Sequence, residues 1–337
     1  MLNIVSQTRT GIVHAGSRID LVPAAIGVAL FQLYPDGVTI AVACYNAGSY
    51  LAECIASILD QPFQLPHEVI VINDGSDDPT TLRIVRRFED NKAIRVIHHD
   101  RNVGLPSARN SGLFAARCDY AMFVDADDCL NTAATVLKEG SYLDRAVTAL
   151  QSNPALAFTH CATLMFGDCC GFTSSAYPLT EELVAAKHHV PASIVFRTED
   201  AIELGGFKPN IVKWTDWSFG ASLLSHRLSK GLTNEIAYFA TPYYLYRTYQ
   251  ASHRVSQQSV SELEMIRRTV ESFRPLFTKY YPGLDDTEVS ERVWAAKPSL
   301  LECLAHMAKS DLARAIQLIR ERDLDRLAGD RSSALAP

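Results

Sequence analysis

The sequence has no excess of positive charge and no long apolar segment. Its 32 Lys and Arg residues are outnumbered by 38 Asp and Glu residues, so the formal net charge at pH 7 is −6. Nucleic-acid-binding faces need clustered basic residues to meet the phosphates, and this composition therefore argues against nucleic acid as a partner. The apolar stretch at residues 21–34 is interrupted by Pro23, Gly27 and Gln32. It is too short to span a bilayer, and we expect a core strand or helix of an N-terminal extension.

The chain also lacks a cysteine framework and a secretory signal pattern. Its eight cysteines contain no CxxC pair, and several lie in apolar strand-like runs, where cysteine behaves as a small hydrophobic residue. The adjacent Cys169 and Cys170 have no His or Cys at metal-ligand spacing, so neither a zinc site nor a redox centre is expected there. Because the first residues carry no signal-like pattern either, the expected location is the reducing cytoplasm.

A regular alternation of strand-like and helix-like segments begins at residue 37. Apolar runs such as GVTIAVAC and EVIVIN lack polar alternation, which is typical of strands that are buried on both faces. Between them lie segments with helical spacing. In SYLAECIASILDQ, one helical face would carry Leu51, Cys54, Ile55, Ile58 and Leu59. The pattern predicts an α/β fold with a mostly parallel central sheet flanked by helices.

Several chemically versatile residues fall where the predicted strands end. Tyr45 and Asn46 follow the first strand, Asp74 follows the second, and Asp125 ends the fourth. Ligands of such sheets bind beyond the carboxyl ends of the strands, so these side chains are candidates for one site. Arg109, in RNVGLPSARNSG, lies near a predicted helix start, where free amides and an Arg fork suit a phosphate or a ribose. Taken singly, each motif is also explained by an ordinary turn or a solvated loop.

The run FVDADDCL places three carboxylates directly behind the apolar run YAMFV. Asp125, Asp127 and Asp128 lie within four residues, and carboxylates this close raise one another's pKa unless a cation or a set of donors neutralises them. One interpretation is therefore a cation site. The other is an acidic helix start, with Asp128 as the cap.

The order of these motifs resembles a known family. TIAVACYN, YLAECIASIL, EVIVINDGS, NVGLPSARNSGL and FVDADD are similar to the nucleotide-binding half of the inverting, GT-A-fold glycosyltransferases of family 2. The likeness continues through VFRTEDAIELGGF, WTDWSFG and YLYRTYQAS. It implies a Rossmann-like GT-A domain with a nucleotide-sugar-binding half at residues 37–135 and an acceptor-binding, catalytic half at 136–254. An N-terminal extension (1–36) and a C-terminal helical region (255–337) would flank it.

The resemblance also assigns roles at the strand ends. Asp127 would bind Mn²⁺ or Mg²⁺, which take one or two carboxylates alongside phosphates and water, and Asp128 would cap the following helix. The nucleotide-sugar would be bound as follows: Asp125 at the ribose, Asp74 at the base edge, Tyr45 stacked on the base, and Asn46 and Arg109 near the nucleotide.

Inversion requires a base that takes the proton of the acceptor hydroxyl. By resemblance this base is Asp216, in ELGGFKPNIVKWTDWSFG. Its neighbours Trp214 and Trp217 would limit hydration of Asp216, wall an acceptor-sugar pocket, or simply pack in the core. Without the resemblance, Asp216 would be an ordinary acidic residue in the first turn of a helix.

The chain departs from the family pattern at two positions. Thr215 stands where the family usually has an acidic residue directly before the base, and Tyr249 stands where many members carry a His. His253 lies just beyond. These departures leave the details of base positioning and of the metal site open.

The expected activity is transfer of a sugar from a nucleotide-diphosphate donor, with UDP-sugars favoured over dTDP and GDP sugars, to a saccharide or other hydroxyl acceptor in polysaccharide or glycoconjugate biosynthesis. Two alternatives are glycosylation of a small-molecule natural product and a catalytically silent sugar-nucleotide-binding protein. A nucleotidyltransferase would need a basic Gly-rich loop after the first strand, and CYNAGSYL has no Lys or Arg. The helices beyond residue 255 could pack on the catalytic domain, form a homodimer or dock a partner, and peripheral membrane contact stays open.

Overall fold

The computed structural model describes residues 34–168, 170–173, 177–187, 189–249 and 260–296, with single positions at 308, 312–313 and 315–317. The predicted N-terminal core element lies outside the described residues, apart from Tyr34, and so do His253 and most of the last predicted helix. Among the described helices, none combines the length and the apolar character that crossing a membrane requires.

Strands and helices alternate along the first part of the described chain, and helices follow at its end. The strands are β1 (Tyr34–Cys44), β2 (His67–Asn73), β3 (Ile94–His98), β4 (Cys118–Asp125), β5 (Cys129–Leu130), β6 (Leu156–Gly167), β7 (Gly171–Phe172), β8 (Val195–Arg197) and β9 (Glu235–Thr248). The helices are α1 (Tyr50–Leu59), α2 (Pro79–Glu89), α3 (Leu105–Ala115), α4 (Ala134–Leu137), α5 (Tyr142–Ser152), α6 (Glu181–Ala186), α7 (Thr198–Glu203), α8 (Thr215–Ser229), α9 (Glu262–Ser272), α10 (Arg274–Tyr280) and α11 (Asp286–Ala295).

The first half of the sheet is parallel, as the sequence predicts. β1 lies between β2 and β4 and pairs with both in parallel, and β2 pairs in parallel with β3. Helices α1, α2 and α3 make the connections, because a parallel pair needs a long crossover. The helical face predicted for α1 is buried except at its last residue, Leu59, which is exposed. The helix ends there, so Leu59 has no further turn to pack beneath it.

The second half extends the same sheet with mixed strand directions. β8 pairs antiparallel with both β4 and β6, β6 runs parallel to the long strand β9, and β9 pairs antiparallel with the two-residue strand β5. The strand order is β3-β2-β1-β4-β8-β6-β9-β5, with β7 beside β6. Strands of the predicted nucleotide half and the predicted acceptor half therefore belong to one sheet.

The core lies on both faces of the sheet. Ile70 and Ile72 of β2 face one apolar cluster, whereas Val69 and Val71 face the other, because successive side chains of a strand point to opposite faces. The first cluster also includes residues of α8 and of the helices α9, α10 and α11. The described part of the C-terminal helices therefore packs on the α/β domain.

Two glycines in the loops that follow β1 and β2, Gly48 and Gly75, have positive φ but different surroundings. A Cβ at Gly75 would lie 2.3 Å from the carbonyl carbon of Arg101, whereas at Gly48 it would meet no atom of the described chain within 4 Å. We expect Gly48→Ala to cost about 1 kcal/mol, from backbone strain alone. Gly75→Ala should cost roughly 3 kcal/mol or more, because the backbone of residues 101–102 must also move.

Urea unfolding of both variants beside the parent protein measures these free energies. Equal losses for the two variants would show that the close approach of Gly75 to the 101–102 backbone is unimportant for stability.

Candidate active site

The strand register brings the predicted site residues to one edge of the sheet. Cys44 at the end of β1 is aligned with Asn73 of β2, and Ala43 is aligned with Asp125 of β4. The residues that follow, Tyr45 and Asp74 among them, therefore emerge side by side. The Tyr45 ring is exposed at this edge.

Asn46 joins the ends of β1 and β2. It adopts a left-handed backbone conformation (φ 51°), which Asn tolerates better than most residues. Its Oδ1 accepts hydrogen bonds from the backbone N–H groups of Asp77 and Asp78, both at 3.0 Å, and its Nδ2 donates to Asp77 Oδ1 at 2.7 Å. Asn46 thus holds the loop between β2 and α2 in place beside Tyr45.

Asp74 is buried and holds the loop that leads into α3. Its carboxylate accepts hydrogen bonds from the N–H groups of Val103 and Gly104, each at 3.0 Å. His99 Nδ1 lies 2.7 Å from Asp74 Oδ1, and His99 Nε2 lies 2.9 Å from Ser111 Oγ. Sequence analysis missed His99, although its position at the end of the third strand placed it on the same edge as Asp74.

Asp128 is not a helix cap. It is fully buried, and its carboxylate accepts hydrogen bonds from Tyr244 Oη at 2.8 Å and from Arg247 N at 2.7 Å. The chain continues from Asp128 into β5, which pairs with β9, so the side chain faces β9. Helix α4 begins later, with Ala133 at its N-cap position. Burial, followed by the charges of Asp127 and Asp125, raises the pKa of Asp128 well above its usual value.

Asp127 lies under the end of β9. Tyr249 Oη donates to Asp127 Oδ2 at 3.0 Å, and Arg247 Nε donates to the Asp127 carbonyl at 2.7 Å. The Arg247 guanidinium also stacks 4.4 Å from the ring centre of Tyr50 and binds Glu53 at 2.6 Å. At the position where the resemblance led us to expect a His, the chain therefore places a phenol on the carboxylate of Asp127.

The donor atoms at the acidic motif suit a hard divalent cation. Asp128 faces inward, Asp125 binds Arg109, and Asp127 is half-buried beside Tyr249. One or two carboxylates with a hydroxyl are oxygen donors of the kind that Mg²⁺ and Mn²⁺ bind together with phosphates and water. The residues present thus fit such an ion.

A second group of potential ligands lies elsewhere. Ligand atoms of Asp200, Glu203 and His226 lie within 4.8 Å of one another. Glu203 forms an ion pair with Lys230, and Asp200 forms one with Arg227. The protein's own cations already neutralise this cluster, so its charges require no metal.

Arg109 lies beneath the site and joins its two halves. The side chain is 2% exposed, and its guanidinium donates to Asp125 Oδ1 at 2.6 Å and to Asp216 Oδ1 at 2.7 Å. Thr215 Oγ1 accepts a further bond at 3.3 Å. Burial by itself lowers the Arg109 pKa, but the charges of Asp216 and Asp125 outweigh it and hold the pKa above its usual value. The structure therefore places Arg109 against two carboxylates, not at the surface.

Asp216 lies in the first turn of α8, behind Trp214, which has φ 60° at the N-cap position. No side chain caps this helix at Trp214. The Asp216 side chain is 31% exposed, and Asp125, which binds the same guanidinium, is 27% exposed. Burial raises the pKa of Asp216, Arg109 opposes this, and Asp125 adds to it, so that the net direction is upward.

The two tryptophans beside Asp216 have different environments. Trp217 is 1% exposed, donates from Nε1 to the Val184 carbonyl at 2.8 Å, and packs against Phe277. It is a core residue, so its assignment to an acceptor pocket was wrong: one helical position beyond Asp216, the side chain points into the α6–α10 packing. Trp214 is only partly buried, with Lys213 Nζ 5.9 Å from its ring centre.

Comparison with known proteins finds similarity over part of the chain. The family model described as glycosyl transferase family 2 matches residues 39–152. The match begins in β1 and ends at the close of α5, so it includes Asp74, Arg109 and the acidic motif. Asp216 and β9 lie beyond it, and the structure alone connects them to the site.

Curated relatives are similar over the same segment. The chain is 38% identical over 93 residues to glycosyltransferase GlyG of Streptococcus pneumoniae, covering 27% of this chain and 30% of that protein. It is 29% identical over 122 residues to the poly-beta-1,6-N-acetyl-D-glucosamine synthase of Staphylococcus aureus, covering 36% of this chain and 29% of that protein. The chain thus spans less than a third of the length of these relatives.

Solved structures share the fold over most of the chain. TarS 1-349 of S. aureus in complex with UDP-GlcNAc superimposes with a TM-score of 0.58 at 19% identity, covering 87% of this chain and 92% of that one. The mannosyltransferase PcManGT from Pyrobaculum calidifontis, in complex with GDP-Man and Mn²⁺, gives 0.51 at 17% identity, covering 86% and 80%. The likeness extends well past residue 152. Residues 39–152 are therefore similar to glycosyl transferase family 2, and the described chain has the GT-A fold of these solved structures.

Proposed function

We propose that this chain transfers a sugar from a nucleoside-diphosphate donor, with UDP-sugars favoured, to a hydroxyl acceptor, with inversion and with a divalent cation. The observation that carries the proposal is the pair Asp125 and Asp216. The two carboxylates come from the matched segment and from outside it, yet both bind one guanidinium and both are partly exposed. In a direct displacement the acceptor hydroxyl, held at the base, must reach the anomeric carbon of the bound donor.

The nucleotide side of the site is formed by the ends of β1, β2 and β4. The exposed ring of Tyr45 offers a stacking face for a base, and Asp125 offers an acceptor for ribose hydroxyls. Asp74 orders the 103–104 loop at the base edge. The complexes of TarS with UDP-GlcNAc and with UDP support a UDP-sugar, and the GDP-Man complex of PcManGT keeps GDP as the competitor.

The departing diphosphate lies at the acidic motif in this proposal. Asp127 and Tyr249 would hold Mn²⁺ or Mg²⁺ there, and the cation would neutralise the charge that develops on the diphosphate as the glycosidic bond breaks. The PcManGT complex with Mn²⁺ supports this choice of ion. Arg247 and Asp128 contribute indirectly, because their hydrogen bonds fix the backbone that carries Asp127.

Asp216 is the proposed base. Its Oδ1 binds Arg109, which leaves Oδ2 as the atom that takes the proton of the acceptor hydroxyl. The hydroxyl oxygen then bonds to the anomeric carbon as the bond to the diphosphate breaks on the opposite face. A partly buried carboxylate with a raised pKa is a stronger proton acceptor than one in water. The polysaccharide synthase among the relatives supports a saccharide acceptor, and a small-molecule acceptor is the competing case.

The donor prediction is tested by thermal shift. UDP and UDP-sugars with Mn²⁺ should raise the melting temperature more than dTDP or GDP ligands do, since a ligand that binds only the native state stabilises it by mass action. Donor hydrolysis with and without metal is measured in parallel. Equal shifts for the three nucleotides would overturn the UDP assignment. Selective binding with neither hydrolysis nor transfer would favour the silent sugar-nucleotide-binding protein.

The metal prediction concerns Asp127→Ala. We expect this variant to lose Mn²⁺-dependent donor binding and activity without unfolding, because removing one of three clustered carboxylates relieves repulsion in the metal-free protein. Titration calorimetry of UDP with and without Mn²⁺, together with a melting curve, measures both effects. Glu139→Ala, which removes an exposed carboxylate paired with Arg145, is the matched control. An active Asp127→Ala protein with a parental metal requirement would contradict the assignment.

The base prediction concerns Asp216→Asn. Asparagine keeps an oxygen for Arg109 but cannot take a proton, so the fold and the UDP affinity should survive. Transfer, or donor hydrolysis if no acceptor is known, should fall by roughly two to four orders of magnitude. The three quantities are measured side by side with the parent protein. A variant with near-parental rates would exclude Asp216 as the base.

A further inference from the structure

The guanidinium of Arg109 is the one group that contacts both a donor-side carboxylate and the proposed base in the described structure. We infer that Arg109 is a positioning residue that couples the nucleotide-sugar site to the proton acceptor, although it touches neither substrate. This inference rests on the proposed function and adds a residue that acts through Asp125 and Asp216. Its support comes from burial, from geometry and from the charges around it.

Burial separates Arg109 from any ligand. The side chain is 2% exposed, whereas the Asp125 and Asp216 carboxylates are 27% and 31% exposed. Its two terminal nitrogens already donate to Asp125, Asp216 and Thr215. A direct phosphate contact would require the side chain to abandon at least one carboxylate. Arg109 therefore acts on the substrates through the carboxylates that it holds.

The planar fork of Arg109 fixes the relative position of the two carboxylates. NH2 binds Asp125 and NH1 binds Asp216, so one rigid group sets both side chains. The rings of Phe123 and Phe207 lie over the guanidinium, with centroids 5.8 and 5.3 Å away. A lysine in this place would be a point charge without a fork and could not hold both partners in fixed geometry.

Contacts between α3 and the residues before α8 keep the Arg109 guanidinium in place. Asn110, the next residue, exchanges two hydrogen bonds with the Phe207 backbone, at 2.8 and 2.9 Å. A Cβ at Gly206 would lie 2.3 Å from Asn110 Oδ1, so only glycine allows this approach. The Gly-Gly-Phe stretch therefore docks the α7–α8 connection, and with it Asp216, against α3.

Arg109 also links Asp125 and Asp216 electrostatically. One cation faces two carboxylates, and Thr215, where the family resemblance led us to expect an acid, contributes only a neutral hydroxyl. Arg109 and Asp125 are the charged groups that the structure sets against Asp216. Without Arg109 the Asp216 carboxylate would face the charge of Asp125 unscreened and would retain its proton to higher pH.

The test compares Arg109→Gln and Arg109→Lys with Arg227→Gln and Arg227→Lys. Arg227 is the matched control, because it is also buried, lies in α8 and binds a carboxylate, Asp200, but at the far end of the helix. For each protein we would measure the melting temperature, the UDP dissociation constant, the donor KM, and kcat against pH for transfer or donor hydrolysis.

The direction of the pH effect follows from the charge. Arg109 lowers the pKa of Asp216, so its loss raises that pKa, and the base becomes ionised only at higher pH. The acid limb of the profile of kcat against pH should therefore move to higher pH in Arg109→Gln. The KM for the nucleotide-sugar donor and the UDP dissociation constant should rise several-fold, because Asp125 is no longer held in place. Arg109→Lys keeps the charge but loses the fork, so kcat should fall about tenfold or more with a smaller displacement of the acid limb.

The control variants should lose thermal stability while keeping the parental acid limb and donor KM. The inference is overturned if the Arg109 variants keep both parental values, or if the Arg227 variants change them equally. If Arg109→Gln does not fold, Arg109→Lys decides through kcat and KM. An inactive parent protein would refute the proposed function itself, whereas an active parent with indifferent Arg109 variants refutes this inference alone.

Discussion

One buried cation, Arg109, determines how the rest of the site is arranged. A buried guanidinium is stable only when its charge and its donors are met, and removing one partner of such a pair typically costs about 3–5 kcal/mol. Here Asp125 at the end of β4 and Asp216 at the start of α8 are the partners. The strand, the helix and α3 must therefore all be correctly docked before Arg109 is satisfied. α3 can lie close to the sheet because Gly112 has no side chain. A Cβ at this position would lie only 2.8 Å from Ile72 Cδ1.

A second set of contacts builds the opposite wall from the end of β9. Asp128 accepts hydrogen bonds from Tyr244 and Arg247, and Asp127 accepts one from Tyr249. Strand β9 and Tyr249, the residue after it, thus supply donors to two of the three clustered carboxylates, which offsets part of the repulsion among them. The same contacts connect the order of residues 244–249 to the position of Asp127, the proposed metal ligand.

The C-terminal helices pack against α8, the helix that carries the proposed base Asp216. Trp217, one position after Asp216, packs against Phe277 of α10, and Ser225 of α8 donates to the Phe273 carbonyl at 3.2 Å. Helix α8 is therefore held on one side by Arg109 and on the other by α9 and α10. The position of Asp216 depends on both contacts, so the helical region after the GT-A domain helps to position this proposed base.

The sequence by itself determined the alternation of elements, the parallel character of the first half of the sheet, the edge on which Tyr45, Asp74 and Asp125 emerge, and the resemblance to family 2, because hydrophobic periodicity and strand-end motifs are local signals. Only the tertiary structure decided where side chains point. It shows that Asp128 binds β9 and does not cap a helix, that Trp217 lies in the core, and that Arg109 reaches Asp216. Those outcomes depend on contacts between residues 33 to 119 positions apart in the chain, and no local pattern encodes them.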